Sequence, residues 1–253
     1  MPALILGRLV LVEARRGGLV WLAALALLAG SALSAFLAQL AITESRLLQA
    51  AVVAALLRVC AVFLVATQVV ASVRREIDER RLELLLALPL SRAVQYLGRL
   101  TGFAALGIVL AALFALPLLL WARPPAVLAW GLSLAFELAL VAAAALFFAM
   151  TLGQLVSALA ATVGLYLLAR SIGAIQAIAA GPLAEDTLAH ELARHIVDGV
   201  ALLLPALERV TRTDWLLYAT PDARTYASLL GGMLIYIALL AAAGLFDFAR
   251  RAA

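Results

Sequence analysis

Two charged residues stand inside otherwise apolar runs of this 253-residue sequence, and they are the first candidates for chemistry. Arg58 interrupts one run and Glu137 another. If the runs cross a bilayer, each charge costs about 3 kcal/mol or more and needs a partner or water. Each lies about twelve residues from the same end of the bundle, so at about 1.5 Å per residue the two share a depth of roughly 18 Å. One reading is a mutual ion pair that locks two helices. The other is a polar lining for a path or a dimer interface. A third group, His190, Glu191, His195 and Asp198, has the residue types of a metal site, with Glu191 and His195 four apart on one helical face. The two histidines, five apart, share no face, so the spacing favours a solvated polar face and no metal ligand is assigned. No His-Glu-x-x-His, nucleophile elbow or Walker A motif occurs. No residue is therefore assigned as catalytic, and the chain is not expected to be an enzyme.

The elements that must position these residues follow from composition. The chain is 66% hydrophobic and 13% charged, whereas a soluble domain carries about 25% charged residues. Most of the surface is therefore expected to face lipid, whose tails impose no hydration penalty on apolar side chains. The 19 basic residues are all arginine, and a net charge of +4 does not argue for nucleic acid. Cys60 is the single cysteine and lies in an apolar run, so no intrachain disulfide forms.

A spanning helix needs about 20 mostly apolar residues. Six runs qualify: Leu19–Ile42, Leu47–Ser72, Leu97–Trp121, Ala126–Met150, Leu152–Ile172 and Tyr226–Phe248. The turn between the fourth and fifth, Thr151-Leu152-Gly153-Gln154, is only weakly polar. Arg15 and Arg16 precede a first run far longer than a signal-peptide core, so that run is expected to be a retained helix. With the N-terminus inside, eleven arginines fall on the inner segments and seven, accompanied by eight acids, on the outer ones. Both termini are thus expected to be cytoplasmic. Residues 1–18 read as an interfacial helix, with Arg8, Arg15 and Arg16 on one side and Leu4, Leu9, Leu11 and Val12 around the rest.

Two stretches do not span. Residues 73–96 hold the dense charges Arg74 to Arg81, then an apolar turn that Pro89 must end. Leu82, Leu85, Leu86 and Pro89 form one face and Glu79 and Glu83 a polar one, an exposed knob that wants a partner groove or the lipid surface. Ser91 is placed to cap the next helix. Residues 173–225 are too polar to span and too apolar for a free loop. There Leu188, Leu192, Ile196 and Val200 read as the apolar face of a helix whose polar face holds His190, Glu191, Arg194, His195 and Asp198.

The 74–99 stretch resembles the cytoplasmic loop of ABC-2 type permeases, which typically reads Glu-x-x-x-Gly-Thr-Leu-Glu-Leu-Leu-Leu-x-x-Pro-x-Ser-Arg and shortly afterwards Gly-Lys. The matching residues are Glu76, Leu82, Glu83, Leu84, Leu85, Leu86, Pro89, Ser91, Arg92 and Gly98-Arg99. Arg80-Arg81 stands where the family has Gly-Thr. Leu204-Pro205-Ala206-Leu207-Glu208-Arg209, Thr213-Asp214-Trp215-Leu216 and the closing Phe246-Asp247-Phe248-Ala249-Arg250-Arg251 are similar to the family's last portion, where a re-entrant outer element precedes the sixth span.

The resemblance implies an all-α membrane protein: one six-span transmembrane domain with an N-terminal interfacial helix, a cytoplasmic coupling helix over 73–96 and an outer amphipathic or re-entrant segment over 173–225. It implies the permease subunit of an ATP-driven exporter in the bacterial inner membrane, paired with a second copy or a similar partner. Two cytoplasmic ATPase subunits would bind ATP and magnesium and seat on Glu76, Glu79, Leu82, Glu83, Leu85, Leu86, Pro89, Ser91 and Arg92. This chain would need no cofactor of its own. His190, Glu191, Arg194, Pro205, Glu208 and Arg209 would form an outer gate. Two alternatives stay open: a haem-exporter-like subunit of cytochrome c maturation, and a non-transport membrane scaffold or sensor.

Overall fold

The computed structural model describes residues 2–40, 45–79, 91–179, 188–218 and 220–251. Among these the protein is all-helical, with no strand. The longer helices are α1 (Pro2–Arg16), α2 (Leu19–Leu40), α3 (Ser45–Asp78), α4 (Arg92–Ala115), α5 (Pro124–Thr151), α6 (Leu155–Ala179), α7 (Leu188–Leu203) and, after a four-residue α8 (Asp214–Leu217), α9 (Ala223–Arg251). Six of them, α2 to α6 and α9, are long and apolar enough to cross a bilayer. The helical state itself follows from the solvent: in hydrocarbon every backbone N–H and C=O must be paired within the segment.

The boundaries have local causes. Gly17 and Gly18 separate α1 from α2, and Gly18 sits at φ +83°, a conformation that glycine adopts without steric cost. Pro117 ends α4, which tightens into a 3₁₀ turn over Leu116–Leu120. Pro124 and Pro125 then open α5 in the first turn, where the missing N–H is not needed. The weakly polar turn after the fourth run is a real break: Leu152 is extended, and α6 starts at Leu155.

Three helices run further than hydropathy suggests. α3 continues past Ser72 to Asp78, α4 begins at Arg92 rather than Leu97, and α6 continues past Ile172 to Ala179. The extensions of α3 and α4 are polar and held by side chains. Arg74 reaches Asp78 one turn on (3.5 Å), Arg99 meets Glu76 across α3 and α4 (2.6 Å), and Ser91 caps α4 by accepting from the Val94 N–H (3.4 Å).

α5 is the central helix. It packs against α3, α4, α6 and α9, and 72% of its most apolar stretch is buried, against 11% for α9. α9 is therefore a peripheral helix, with Leu234, Ile235 and Leu239 exposed. α1 lies along α4. Val10 and Ala14 are buried while Leu9 and Val12 are exposed, because the close crossing is made at Gly7 and Gly102. A Cβ on Gly102 would come within 2.8 Å of the Gly7 Cα.

α7 meets the core along one side, which includes Val200 of its expected apolar face. Leu192 and Ile196 are each 64% exposed, and the helix rests on the core through Val197, Val200 and Ala201. Beyond it the chain leaves helical geometry at Leu204-Pro205-Ala206, makes a 3₁₀ turn over Leu207–Arg209 and reaches α8. This segment is buried at Leu207, Val210, Thr211, Trp215 and Leu216. It sits against α6 at the 3₁₀ turn and against α3 and α5 at α8.

Candidate functional site

The intramembrane charges meet at that buried segment. Glu137, on the central face of α5, is fully buried. Its carboxylate accepts from the Tyr166 hydroxyl at 2.9 Å and lies 3.7 Å from the Arg170 guanidinium, both on α6. Tyr166 and Arg170 are four apart and so share one helical face. The immediate ionic partner of Glu137 is thus Arg170, a residue that the run ending at Ile172 had placed at the outer edge. Once α6 continues to Ala179, Arg170 lies inside it.

Arg58 joins the same cluster from α3. Its Nη1 donates to the Thr211 carbonyl at 2.9 Å, and it interacts with Tyr166, Glu137 and Arg170. Arg170 spends its other donors on the same segment: to the Leu207 carbonyl at 2.5 Å, the Val210 carbonyl at 2.8 Å and, more distantly, the Thr211 carbonyl at 3.5 Å. Non-helical backbone at membrane depth needs donors that a helix would have supplied, and two guanidiniums supply them here.

Thr211 is the hub of this arrangement. It is fully buried and sits at φ +51°, rare for a β-branched residue. Its hydroxyl lies 3.2 Å from that of Ser133 of α5, which donates to the Trp130 carbonyl at 2.8 Å. Strain of this kind costs about 1–3 kcal/mol and persists only where neighbours over-determine the geometry. Nothing in the sequence pointed to Thr211. Tyr166 and Arg170 carried a signal, their i,i+4 spacing.

No family model matches this chain, and none of the curated proteins does either.

The second polar region lies at the opposite end of the bundle, flanking residues 80–90. Of the residues expected to seat an ATPase subunit, Leu82, Glu83, Leu85, Leu86 and Pro89 lie outside the described residues. Glu76 turns inward to Arg99, which is 3% exposed. Glu79 is exposed at the end of α3, Ser91 caps α4 and Arg92 is half-buried. Glu13 of α1 accepts from Ser72 at 2.9 Å and faces Arg75 at 3.9 Å, and Thr151 donates to Asp247 of α9 at 2.9 Å. Tyr96 is fully buried against α9, where a Cβ on Gly244 would overlap its hydroxyl.

Of the residues expected at an outer gate, Glu208 and Arg209 face each other at 3.6 Å. The side chain of His190 lies outside the described residues, and Glu191, Arg194 and Arg209 are exposed. Pro205 is buried and Glu208 half-buried, close enough to α6 that a Cβ on Gly173 would overlap the Glu208 carboxylate. Among the described residues no group of three or more His, Cys, Asp or Glu comes together. The His195 ring meets the Glu191 carbonyl one turn back, at 2.7 Å.

Proposed function

We propose that this chain is the membrane-spanning subunit of an ATP-driven exporter of the ABC-2 type, working as a dimer with a separate cytoplasmic ATPase. The observation that carries the reading is the setting of residues 80–90. This leucine-rich sequence, flanked by acids and arginines, joins two helices that extend beyond the apolar runs. The Glu76–Arg99 pair braces those helices just behind it. A rigid mount of this kind suits a lever: force applied at the knob would pass into α3 and α4, and so into the central α5 that α4 packs on.

In this reading Leu82, Leu85, Leu86 and Pro89 enter a groove on the ATPase subunit, with Glu79 and Glu83 facing its basic residues. Each large apolar side chain buried would contribute about 1.5–3 kcal/mol. Residues 80–90 and both chain ends face the cytoplasm, and the segment after α6 lies on the outer side, from which Leu207–Thr211 enters the bundle. The peripheral α9, with its exposed leucine and isoleucine side chains, faces lipid or the second copy.

The test is co-purification. Leu85→Asp should abolish recovery of the cognate ATPase subunit while leaving this chain in the membrane fraction. Undiminished recovery would overturn the docking surface and with it the transporter reading.

A further inference from the structure

The buried cluster does not balance its charge. One carboxylate, Glu137, faces two guanidiniums, Arg170 and Arg58. Glu137 lies against Arg170 and accepts from the Tyr166 hydroxyl, both through Oε1, while its buried Oε2 has no hydrogen-bond partner among the described residues. The other acids of the neighbouring described segments have their own partners: Glu208 pairs with Arg209 (3.6 Å), Asp214 with Arg212 (2.5 Å), and Asp198 with Gln176 (2.8 Å) and Arg194 (4.0 Å). Arg58 is left with the neutral Thr211 carbonyl and Tyr166, and its Nε, though buried, has no hydrogen-bond partner among the described residues. A net positive charge roughly 20 Å along α3 from Ser45 is costly in hydrocarbon, and such charges mark binding sites and transfer paths.

Arg58 is half-buried, and the next residue, Val59, begins an exposed apolar stripe that Phe63 continues one turn on, on the adjoining side of α3. A half-exposed guanidinium next to an apolar stripe suits an amphipath: the chain lies on the stripe, and an acidic group meets the exposed part of the guanidinium with charge-assisted hydrogen bonds.

We propose that Arg58 binds an anionic group, a carboxylate or phosphate, brought to the interior of the bundle by an amphipathic ligand. The proposal concerns binding alone and holds whether or not the chain transports. It sets a sign that a merely structural Arg58 would not: affinity for anions should follow the count of positive charges in the cluster.

The experiment uses the full chain in phosphatidylcholine nanodiscs. Lysophosphatidic acid is compared with the monoacylglycerol of the same chain length and with inorganic phosphate, and binding is read from saturable shifts in melting temperature. Lysophosphatidic acid should bind and the monoacylglycerol should not. Arg58→Gln should weaken binding by about tenfold or more, Arg58→Lys should retain it, and Glu137→Gln should tighten it. If inorganic phosphate alone binds with the same dependence on Arg58, the anionic site stands but its ligand is a free anion, which overturns the amphipath. Equal affinity in wild type and Arg58→Gln overturns the site. Should Arg58→Gln fail to fold, weaker binding in Glu137→Gln than in wild type overturns it instead.

Discussion

The Glu137 carboxylate and the Arg170 guanidinium stand 3.7 Å apart, the acid fully buried and the base reaching past it to backbone carbonyls. Breaking a buried pair costs about 3–5 kcal/mol, because the surviving charge is left without compensation. Glu137→Leu should therefore lower the melting temperature in detergent sharply. Arg170→Leu should lower it further, since it also strips donors from the Leu207 and Val210 carbonyls. The double variant should lose less than the two single losses together. Strict additivity in this cycle would show that the two groups do not act as a pair.

α1 should depend on a backbone contact with α4. Gly102→Val puts a side chain where the Gly7 Cα already sits, and the obstacle is main chain that cannot rotate away. The expected loss is about 1–3 kcal/mol, with α1 becoming sensitive to added protease. Gly164→Ala is the control. It meets nothing within 4 Å in the middle of α6 and should stabilise by about 0.5–1 kcal/mol. Equal stability of the two variants would remove the close crossing as the source of α1 docking.

Sidedness can be read with single cysteines in a Cys60→Ala background. Asp78, at the end of α3, and Glu191, on α7, are both exposed. A membrane-impermeant thiol reagent on intact cells should label Asp78→Cys only after the membrane is opened, and Glu191→Cys before. The reverse pattern would invert the proposed topology.

Asp222 caps α9, accepting from the Thr225 N–H at 3.1 Å. The Thr225 side chain first, and its backbone second, hold the Asp222 carboxyl below the usual carboxylate range. A folded value below the unfolded one gives stability that is complete above the ordinary value of about 4 and is lost as pH falls through the folded value. Between pH 6 and pH 3 the wild type should lose more of its melting temperature than Asp222→Asn does. Parallel curves would mean that the cap contributes no pH dependence.

Hydropathy located all six long helices because the bilayer imposes one rule on every residue of a span, and that rule is local. Ser91 as a cap, Pro117 as a stop and Pro124-Pro125 as a start are equally local, and the helix ends follow them. Residues 74–78 and 92–96 were harder, because charge argues against a span yet not against a helix. Their place was decided by partners in other elements, Glu13 with Arg75 and Glu76 with Arg99.

Arg58 and Glu137 were legible as intramembrane charges at one depth, since depth is a count of residues along a helix. Which charge meets which is not a property of any one helix. It was decided when α6 brought Tyr166 and Arg170 to α5, and when the Leu207–Thr211 segment entered between α3, α5 and α6 with carbonyls needing donors. Leu9, Leu192 and Ile196 show the same division from the apolar side. Their types mark them as buried in water, but in lipid an exposed leucine costs nothing. There, small residues such as Gly7, Gly102 and Ala14 set the contacts, because only they let two backbones approach.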